Sequence, residues 1–417
     1  MIASPSVLSF AKWLTPKRMR AQAVVLAVCL WGVFAVDFST AGLYDRAGNI
    51  KFQDFLPFYI SARLIAQHRA AELYDPNTRA QELQSILGQP TPVRLSNLYG
   101  PQVDLLFLPL VHLPFLVAAR IWTMLSLVLY FVCIYSVWRH LRKLWAFRGL
   151  VFIAALAFPP LFHLCARGQI SALVLLCFTG ALLALRTNRN LAAGVAFGCL
   201  ILKPQFLVAI PLLLLISASW RILAGLVLSA SAQLVFARVY FGSSVMHAYF
   251  ELFRYPSRWI DVAELSLAPI QMHSLRSFWT LLIPSQSAAL VLYLLSSAVA
   301  LALAASVWRS GSALAIRFAA LTFAAVLINP HLFVYDLLVL APALLMLVDW
   351  SLSAEHSSSN PVLHVLLYLA FVLPLLGPLC RWTHVQLSVI AFALILALLY
   401  RLSIRTRALA SSESLVV

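Results

Sequence analysis

Acidic residues are scarce in this chain: 14 Asp and Glu against 30 Lys and Arg in 417 residues, with charged residues of every kind at only 11%. A water-facing domain of useful size needs more surface charge than that, so none fits here. Paired cysteine motifs are missing too. Cys29, Cys133, Cys165, Cys177, Cys199 and Cys380 all lie in or beside apolar runs and none belongs to a Cys-x-x-Cys pair, so neither a disulfide framework nor a zinc site is indicated. The outer segments hold no Asp/Glu cluster suited to a hard cation, Asp104 being the one further carboxylate in a plausible place, and neither metal nor cofactor is expected. The basic surplus lacks the aromatic interleaving of a nucleic-acid surface, so no nucleic-acid partner is expected. No solenoid repeat and no interdomain linker is visible.

Apolar side chains fill this gap. They make up 62% of the chain, and mean hydropathy is +0.91. Apolar runs recur along the whole length, which predicts an all-α polytopic membrane protein. Lys12, Lys17, Arg18 and Arg20 precede an apolar run of about 20 residues without a small-residue cleavage site, read as a retained span. Twelve spans are predicted: 21–41, 115–138, 147–164, 169–187, 190–203, 204–219, 221–241, 285–307, 312–329, 331–350, 361–380 and 383–402. The stretch Leu191–Ser219 reads as one long span or as two short ones meeting at Lys203-Pro204-Gln205. Two short spans put Arg221, Arg309, Arg401, Arg405 and Arg407 on the same side as the N-terminal cluster, Arg139, Arg142, Lys143, Arg148, Arg186, Arg189 and Arg317, so the positive-inside rule selects the hairpin. The net charge of +16 is then mostly a topology signal.

This gives one integral membrane domain over 1–417. It has a cytoplasmic N-terminus (1–20), outer segments at 42–114 and 242–284, and a cytoplasmic tail (403–417). Inner loops are short, the Ser-rich Ser351–Asn360 included, so polar machinery belongs outside, in the periplasm if the cell is Gram-negative.

One outer residue is conspicuous. Asp54 sits in Lys51-Phe52-Gln53-Asp54-Phe55-Leu56-Pro57-Phe58-Tyr59, a carboxylate among aromatics at a membrane boundary. Such a group has a raised proton affinity unless its charge is stabilised. It is either chemistry or an interfacial Asp that caps a helix or pairs with Arg63. Asp54–Tyr74 reads as an amphipathic helix laying Phe55, Phe58, Tyr59, Ala62 and Ile65 on the membrane surface, stopped at Pro76. Pro90, Pro92 and Tyr99-Gly100-Pro101 mark an irregular loop, and 103–114 is apolar but too short to span, hence interfacial or re-entrant.

Other polar residues fall on the same outer face. His163, Arg167, Gly168 and Gln169 follow Pro159-Pro160; Lys203 and Gln205 tip the hairpin; His273 and Arg276 close the second loop. Asn329-Pro330-His331 precedes Tyr335-Asp336, and Arg381 and His384 sit at the last outer turn. Arg167 and Lys203 either snorkel or bind an anion, His331 caps a helix or contacts substrate, and His273 is surface or part of an anion site with Arg276. Asp336 inside an apolar span needs a partner. Gln205 and the tyrosines are bundle glue or substrate contacts.

Read as chemistry, the set offers a general base (Asp54), cations for a phosphate (Arg63, Arg167, Lys203, Arg276) and a donor to phosphate or sugar (His331). Tyr59, Gln169, Gln205, His273 and Asp104 are the candidate sugar or acceptor contacts. A phosphate leaving group needs nearby positive charge, a hydroxyl nucleophile needs a carboxylate, and inverting transfer from a phosphate needs no second carboxylate.

Asp54-Phe55-x-x-Phe58-Tyr59-x-x-Ala62 followed by Glu72-Leu73-Tyr74-Asp75-Pro76 resembles the first-loop signature of glycosyltransferase family 87. Tyr99-x-Pro101, Leu108-Pro109-Leu110, Leu113-Pro114, Gly168-Gln169, Leu202-Lys203-Pro204-Gln205 and Asn329-Pro330-His331-Leu332-Phe333-Val334-Tyr335-Asp336 extend the resemblance from about 50 to 340. It implies a GT-C type membrane fold, a polyprenyl-phosphate-linked sugar donor (mannose in characterised members), and a glycolipid or glycan acceptor. It also implies transfer on the extracytoplasmic side of a bacterial inner membrane, with Asp54 as base and His331 as a catalytic or donor-phosphate residue. One departure is Gln67-His68-Arg69, where members often carry Gly before Leu-Tyr-Asp, which affects a turn. The alternatives are a transporter or lipid-linked sugar flippase, in which Lys203, Asp104 and Asp336 are coupling charges, and an oligosaccharide polymerase or ligase.

Overall fold

A computed structural model describes residues 5–89, 97–254, 270–353 and 361–413. Pro90, Pro92, Glu355 and much of the 242–284 segment lie outside them, as do the side chains of Arg405, Arg407 and Glu413. Among the described residues the chain is helical and forms no strand, only the isolated bridges Tyr44↔Ile50 and Met272↔Phe333. The first helices are α1 (Pro5–Trp13), α2 (Pro16–Phe38), α3 (Leu56–Ala66), α4 (Pro76–Leu87), α5 (Pro101–Asp104) and α6 (Phe115–Trp138). They are followed by α7 (Arg148–Leu156), α8 (Pro159–Arg167), α9 (Ser171–Arg186), α10 (Asn190–Gly198), α11 (Ala209–Ile216) and α12 (Trp220–Arg254). Later helices are given by their residues.

Eight helical segments are long and apolar enough to cross a membrane: Pro16–Phe38, Phe115–Trp138, Arg142–Arg167, Trp220–Arg254, Gln286–Trp308, Val334–Ser351, Pro361–Thr383 and Leu387–Ile404. Ser171–Arg186, Asn190–Leu202, Pro204–Ile216 and Leu314–Ile328 are apolar but shorter. Each of the twelve predicted stretches falls on one of these eight or four helical segments, and a fifth short apolar helix, Pro101–Leu110, falls on the stretch expected to be interfacial or re-entrant. The expected hairpin is present as two helices broken at Lys203, whose φ of −136° and ψ of 78° leave the helical region. Span 221–241 ends at Gly242, whose φ of 85° kinks α12.

Position in the bundle follows side-chain size. Leu314–Ile328 is buried along nearly its whole length, its alanines 315, 319, 320, 324 and 325 letting neighbours close in. In lipid, apolar area does not drive helices together, so close backbone approach does. The α10–α12 contact shows this. A Cβ on Gly194 would stand 2.0 Å from the Ile222 carbonyl oxygen, and one on Gly225 would stand 2.2 Å from that of Leu191. No rotamer relieves a clash with backbone, so Gly194→Leu is expected to separate α10 from α12. Thermal unfolding in detergent should show a loss of several degrees; an unchanged midpoint would mean the helices do not meet this closely.

The first outer segment departs from expectation. Phe55, Phe58, Tyr59, Ala62 and Ile65 are buried in protein, not laid on the membrane surface, and α3 is covered on nearly all sides. Helix α3 ends at Ala66, and His68 adopts a left-handed φ of 60°, the backbone state that a Gly favours. Pro76 stops nothing: it opens α4 at the first helical position, with Asp75 capping through the Thr78 N–H at 2.9 Å. Arg79 of α4 reaches under α3, donating to Ser61 Oγ (2.9 Å) and the Pro57 carbonyl (3.2 Å). Asn97 adds bonds to Ser61 Oγ and Asp104 Oδ2 at 2.9 and 2.8 Å. Burial lowers Arg79 to about 10 and raises Asp104, each partly offset by the other's charge. Asp104 therefore clamps α5 to α3 and α4 from a fully buried position, a structural place for a residue expected to meet sugar or acceptor.

Candidate active site

Asp54 is placed by a short chain of local causes. The Tyr44–Ile50 hairpin turns at Gly48 (φ 81°), and the Lys51 ammonium closes it by donating to the Thr40 and Gly42 carbonyls at 2.6 and 3.1 Å. Phe52 then takes a left-handed φ of 54° while its ring packs on Phe38, 5.0 Å between centroids. A non-glycine residue holds that backbone only where packing over-determines it. Phe55 is anchored among Phe107, Phe115 and Trp122. Between these fixed rings Asp54 is part-buried.

The facing surface comes from the turn after α8. The helix of Arg142–Arg167 breaks before Pro159, and α8 ends on Gly168 with φ 72°. A Cβ on Gly168 would meet the Cβ atoms of Phe55 and Phe52 at 3.0 and 3.2 Å, so this glycine serves both the turn and the approach of the Asp54 loop. The next residue is Gln169. Its Oε1 accepts from the Ile170 N–H (2.9 Å) and the Tyr99 hydroxyl (3.4 Å), which orients the amide. Its Nε2 then donates to Asp54 Oδ2 (3.4 Å) and the Tyr335 hydroxyl (3.3 Å). Both donors are used. Gln169 is 6% exposed, so it supports the carboxylate and has no N–H left for sugar.

Burial raises the proton affinity of Asp54; the Arg167 charge lowers it, followed by the bonds from Gln169 and Tyr335 and the Lys203 charge. Arg167 is half-buried and forms no ion pair among the described residues. His331, backed by its own N–H on Asn329 Oδ1 (2.9 Å), is pushed down to about 4 by burial. At that value it is neutral at physiological pH and offers a hydrogen bond rather than a positive charge. His331, Phe333 and Tyr335 form a continuous aromatic run, with centroids 4.9 and 5.4 Å apart. Arg276 is exposed beside it, donating to the Pro330 carbonyl at 3.4 Å.

Several expected ligands are used elsewhere. The Lys203 ammonium is 2.5 Å from Asp336 Oδ1 and 3.1 Å from Ser171 Oγ, and Ser171 donates to the same oxygen at 2.6 Å. Lys203 also stands 4.9 Å from the Tyr335 ring centroid. Both charges are 1% exposed, so Lys203 is the partner Asp336 requires rather than a free phosphate cation. Arg63 pairs with Glu82 at 3.4 Å, and neither caps nor pairs with Asp54. Tyr59 donates its hydroxyl to the Leu113 carbonyl at 2.7 Å. His273 is buried, its Nδ1 2.7 Å from Ser388 Oγ and its ring against Gly377, which makes it a packing residue rather than surface. Gln205 is half-buried at the hairpin tip. Tyr335 and Ser171 are the participants that sequence reasoning left out of the site. The Tyr-Asp pair after His331 was the available signal for the first; Ser171 carried none. Among the described residues no three His, Cys, Asp or Glu gather in a way that could hold a metal ion.

The fold and site together define a helical integral membrane protein with a carboxylate held by an oriented amide and acted on by the charge of Arg167, which forms no ion pair among the described residues. Residues 97–334 match glycosyltransferase family 87, more than half of the chain, and the chain belongs to that family: it is a membrane glycosyltransferase. Gln169, Lys203 and His331 lie inside the matched region, and Asp54 precedes it. No curated protein and no solved structure matches the chain.

Proposed function

We propose that the protein is an inverting transferase of GT-C type with twelve crossings. It moves a hexose, mannose as the expected sugar, from a polyprenyl phosphate to a glycolipid or glycan hydroxyl on the extracytoplasmic side of a bacterial inner membrane. Asp54 accepts the proton of the acceptor hydroxyl as its oxygen bonds to the anomeric carbon. The bond from that carbon to the phosphate oxygen breaks with inversion, and its electron pair leaves on the phosphate. Arg167, with Arg276 at the rim, carries the positive charge that meets the departing phosphate, and neutral His331 donates a hydrogen bond to it or to the sugar. The observation that carries this reading is Asp54 held as a hydrogen-bond acceptor by an oriented amide, with the Arg167 guanidinium, ion-paired to none of the described residues, near enough to act on its charge.

The reading is tested in vesicles holding the purified protein and a labelled polyprenyl-phosphate sugar, scoring transfer and translocation together. Transfer to an added acceptor supports it; translocation without transfer overturns it in favour of a flippase. A pH profile tests the role of Gln169. The ionised Asp54 is the active form, so activity is lost as pH falls through its pKa. Gln169→Leu removes a donor that lowers this pKa, so the acid limb of kcat/KM should move to higher pH, with activity regained on the alkaline side. An unmoved limb with a uniformly lower rate would assign Gln169 to packing alone.

A further inference from the structure

We infer that the protein holds a resident anionic membrane phospholipid in a cavity remote from the transfer site. The cavity, about 800 Å³, lies between α2, the α7 region and the helices Leu340–Ser351 and Pro361–Val372. Its wall is almost wholly apolar, running from Leu14 and Met19 at one end to Cys29 and Phe158 at the other. Val25, which lines it, is also 63% exposed, so the cavity opens on the surface that α2 presents. Within a bilayer such a volume is filled by a lipid chain.

Tyr130, which also lines it, spends its hydroxyl on the Ala155 carbonyl at 2.9 Å, and the remaining polar contacts lie at the other end. Tyr368 donates to Gln22 Oε1 at 3.1 Å, and His364 Nε2 lies 3.0 Å from Ser351 Oγ, all but Ser351 being lining residues. Cations gather at that end. Arg20 lies against Gly149, its guanidinium 3.8 Å from where a Cβ would stand, next to exposed Arg148, with exposed Lys17 close by in sequence. None of these three forms an ion pair among the described residues. Asp349, the acid at this end, has Oδ1 taken by the Lys143 and Leu144 N–H groups. A cavity with an apolar body, and with cations next in sequence to the lining residues Pro16, Met19 and Phe147 at one end, suits an amphiphile with a phosphate head.

Position selects which amphiphile. The cationic mouth is at the start of α2, whereas Asp54 sits beyond its end, where Phe52 packs on Phe38. Helix α2 has 23 residues, so roughly 34 Å separate the two ends at 1.5 Å per residue. A sugar donor whose phosphate reacts beside Asp54 cannot place that phosphate at Arg20. The occupant is therefore a glycerophospholipid of the opposite leaflet.

Native mass spectrometry of the delipidated full chain, titrated with phosphatidylglycerol and with phosphatidylcholine of the same acyl chains, tests this. The expected result is one tightly held phosphatidylglycerol at least tenfold preferred. Ala154→Phe, which intrudes a ring into the cavity, should weaken retention of either lipid at least tenfold, and Arg20→Gln should remove the preference while leaving weak binding. Transferase activity and thermal midpoint, measured alongside, show that the variants fold. Equal retention of both lipids by the unaltered chain, or undiminished retention by Ala154→Phe, overturns the site. Preferential capture of polyprenyl phosphate that Ala154→Phe weakens overturns the occupant.

Discussion

Asp54→Asn is expected to reduce sugar transfer by on the order of 10²–10⁴-fold, the usual contribution of a positioned general base. Asparagine keeps the shape of the side chain and an acceptor for the Gln169 amide, so the Phe52 and Phe55 anchors need not move. It loses the ability to take a proton. Because burial opposes ionisation of Asp54, neutralising it should leave thermal stability unchanged or slightly raised. The check is initial-rate transfer from a labelled polyprenyl-phosphate sugar by purified protein, with unfolding midpoint and membrane insertion measured on the same preparation. Near-normal transfer would sink the proposed mechanism. Loss of both transfer and stability would instead make Asp54 structural.

Lys203→Met is expected to cost about 3–5 kcal/mol of stability, the penalty for leaving one member of a buried ion pair unpartnered. Asp336 accepts from Lys203, Ser171 and the Phe333 N–H, the last at 3.3 Å, in a site closed to water. Removing the ammonium leaves a buried carboxylate that must either ionise without a counter-charge or take up a proton. Asp336→Leu should cost a similar amount by stranding the ammonium. Lys203→Met combined with Asp336→Leu should recover most of the loss, since paired charges in the interior repay little more than their own desolvation. A chemical or thermal unfolding cycle on the four proteins measures this coupling. If Lys203→Met left stability intact but weakened donor binding, the ammonium would be a phosphate ligand after all.

Much of the site was legible residue by residue. Asp54 stood out because a carboxylate among Phe and Tyr is costly, and Asp336 because an acid inside an apolar span demands a counter-charge. Gly168 and Gln169 were visible as a turn near the same face. Their partners were not. Gln169 is 115 positions from Asp54 and 166 from Tyr335, and Lys203 is 133 from Asp336. A cation at an outer turn has the same sequence signature whether it meets lipid, substrate or a buried acid. Lys203 and Arg167 looked alike for that reason, and among the described residues only Lys203 is ion-paired.

What the sequence determined by itself is the kind of molecule and where its helices run. Apolar runs, the break at Lys203-Pro204, and the distribution of Lys and Arg follow from local transfer energies and backbone geometry. What only the tertiary structure decided is what each apolar face and each charge touches. Helix α3 shows why. Its periodicity announced an apolar surface, but apolar side chains gain alike from bilayer and protein, so no pattern could say that α3 would be buried in protein. The same holds for charge: Asp54 and Asp336 were equally costly on paper. Packing gave one a buried ammonium and gave the other an amide, a tyrosine and the charge of an arginine that forms no ion pair among the described residues.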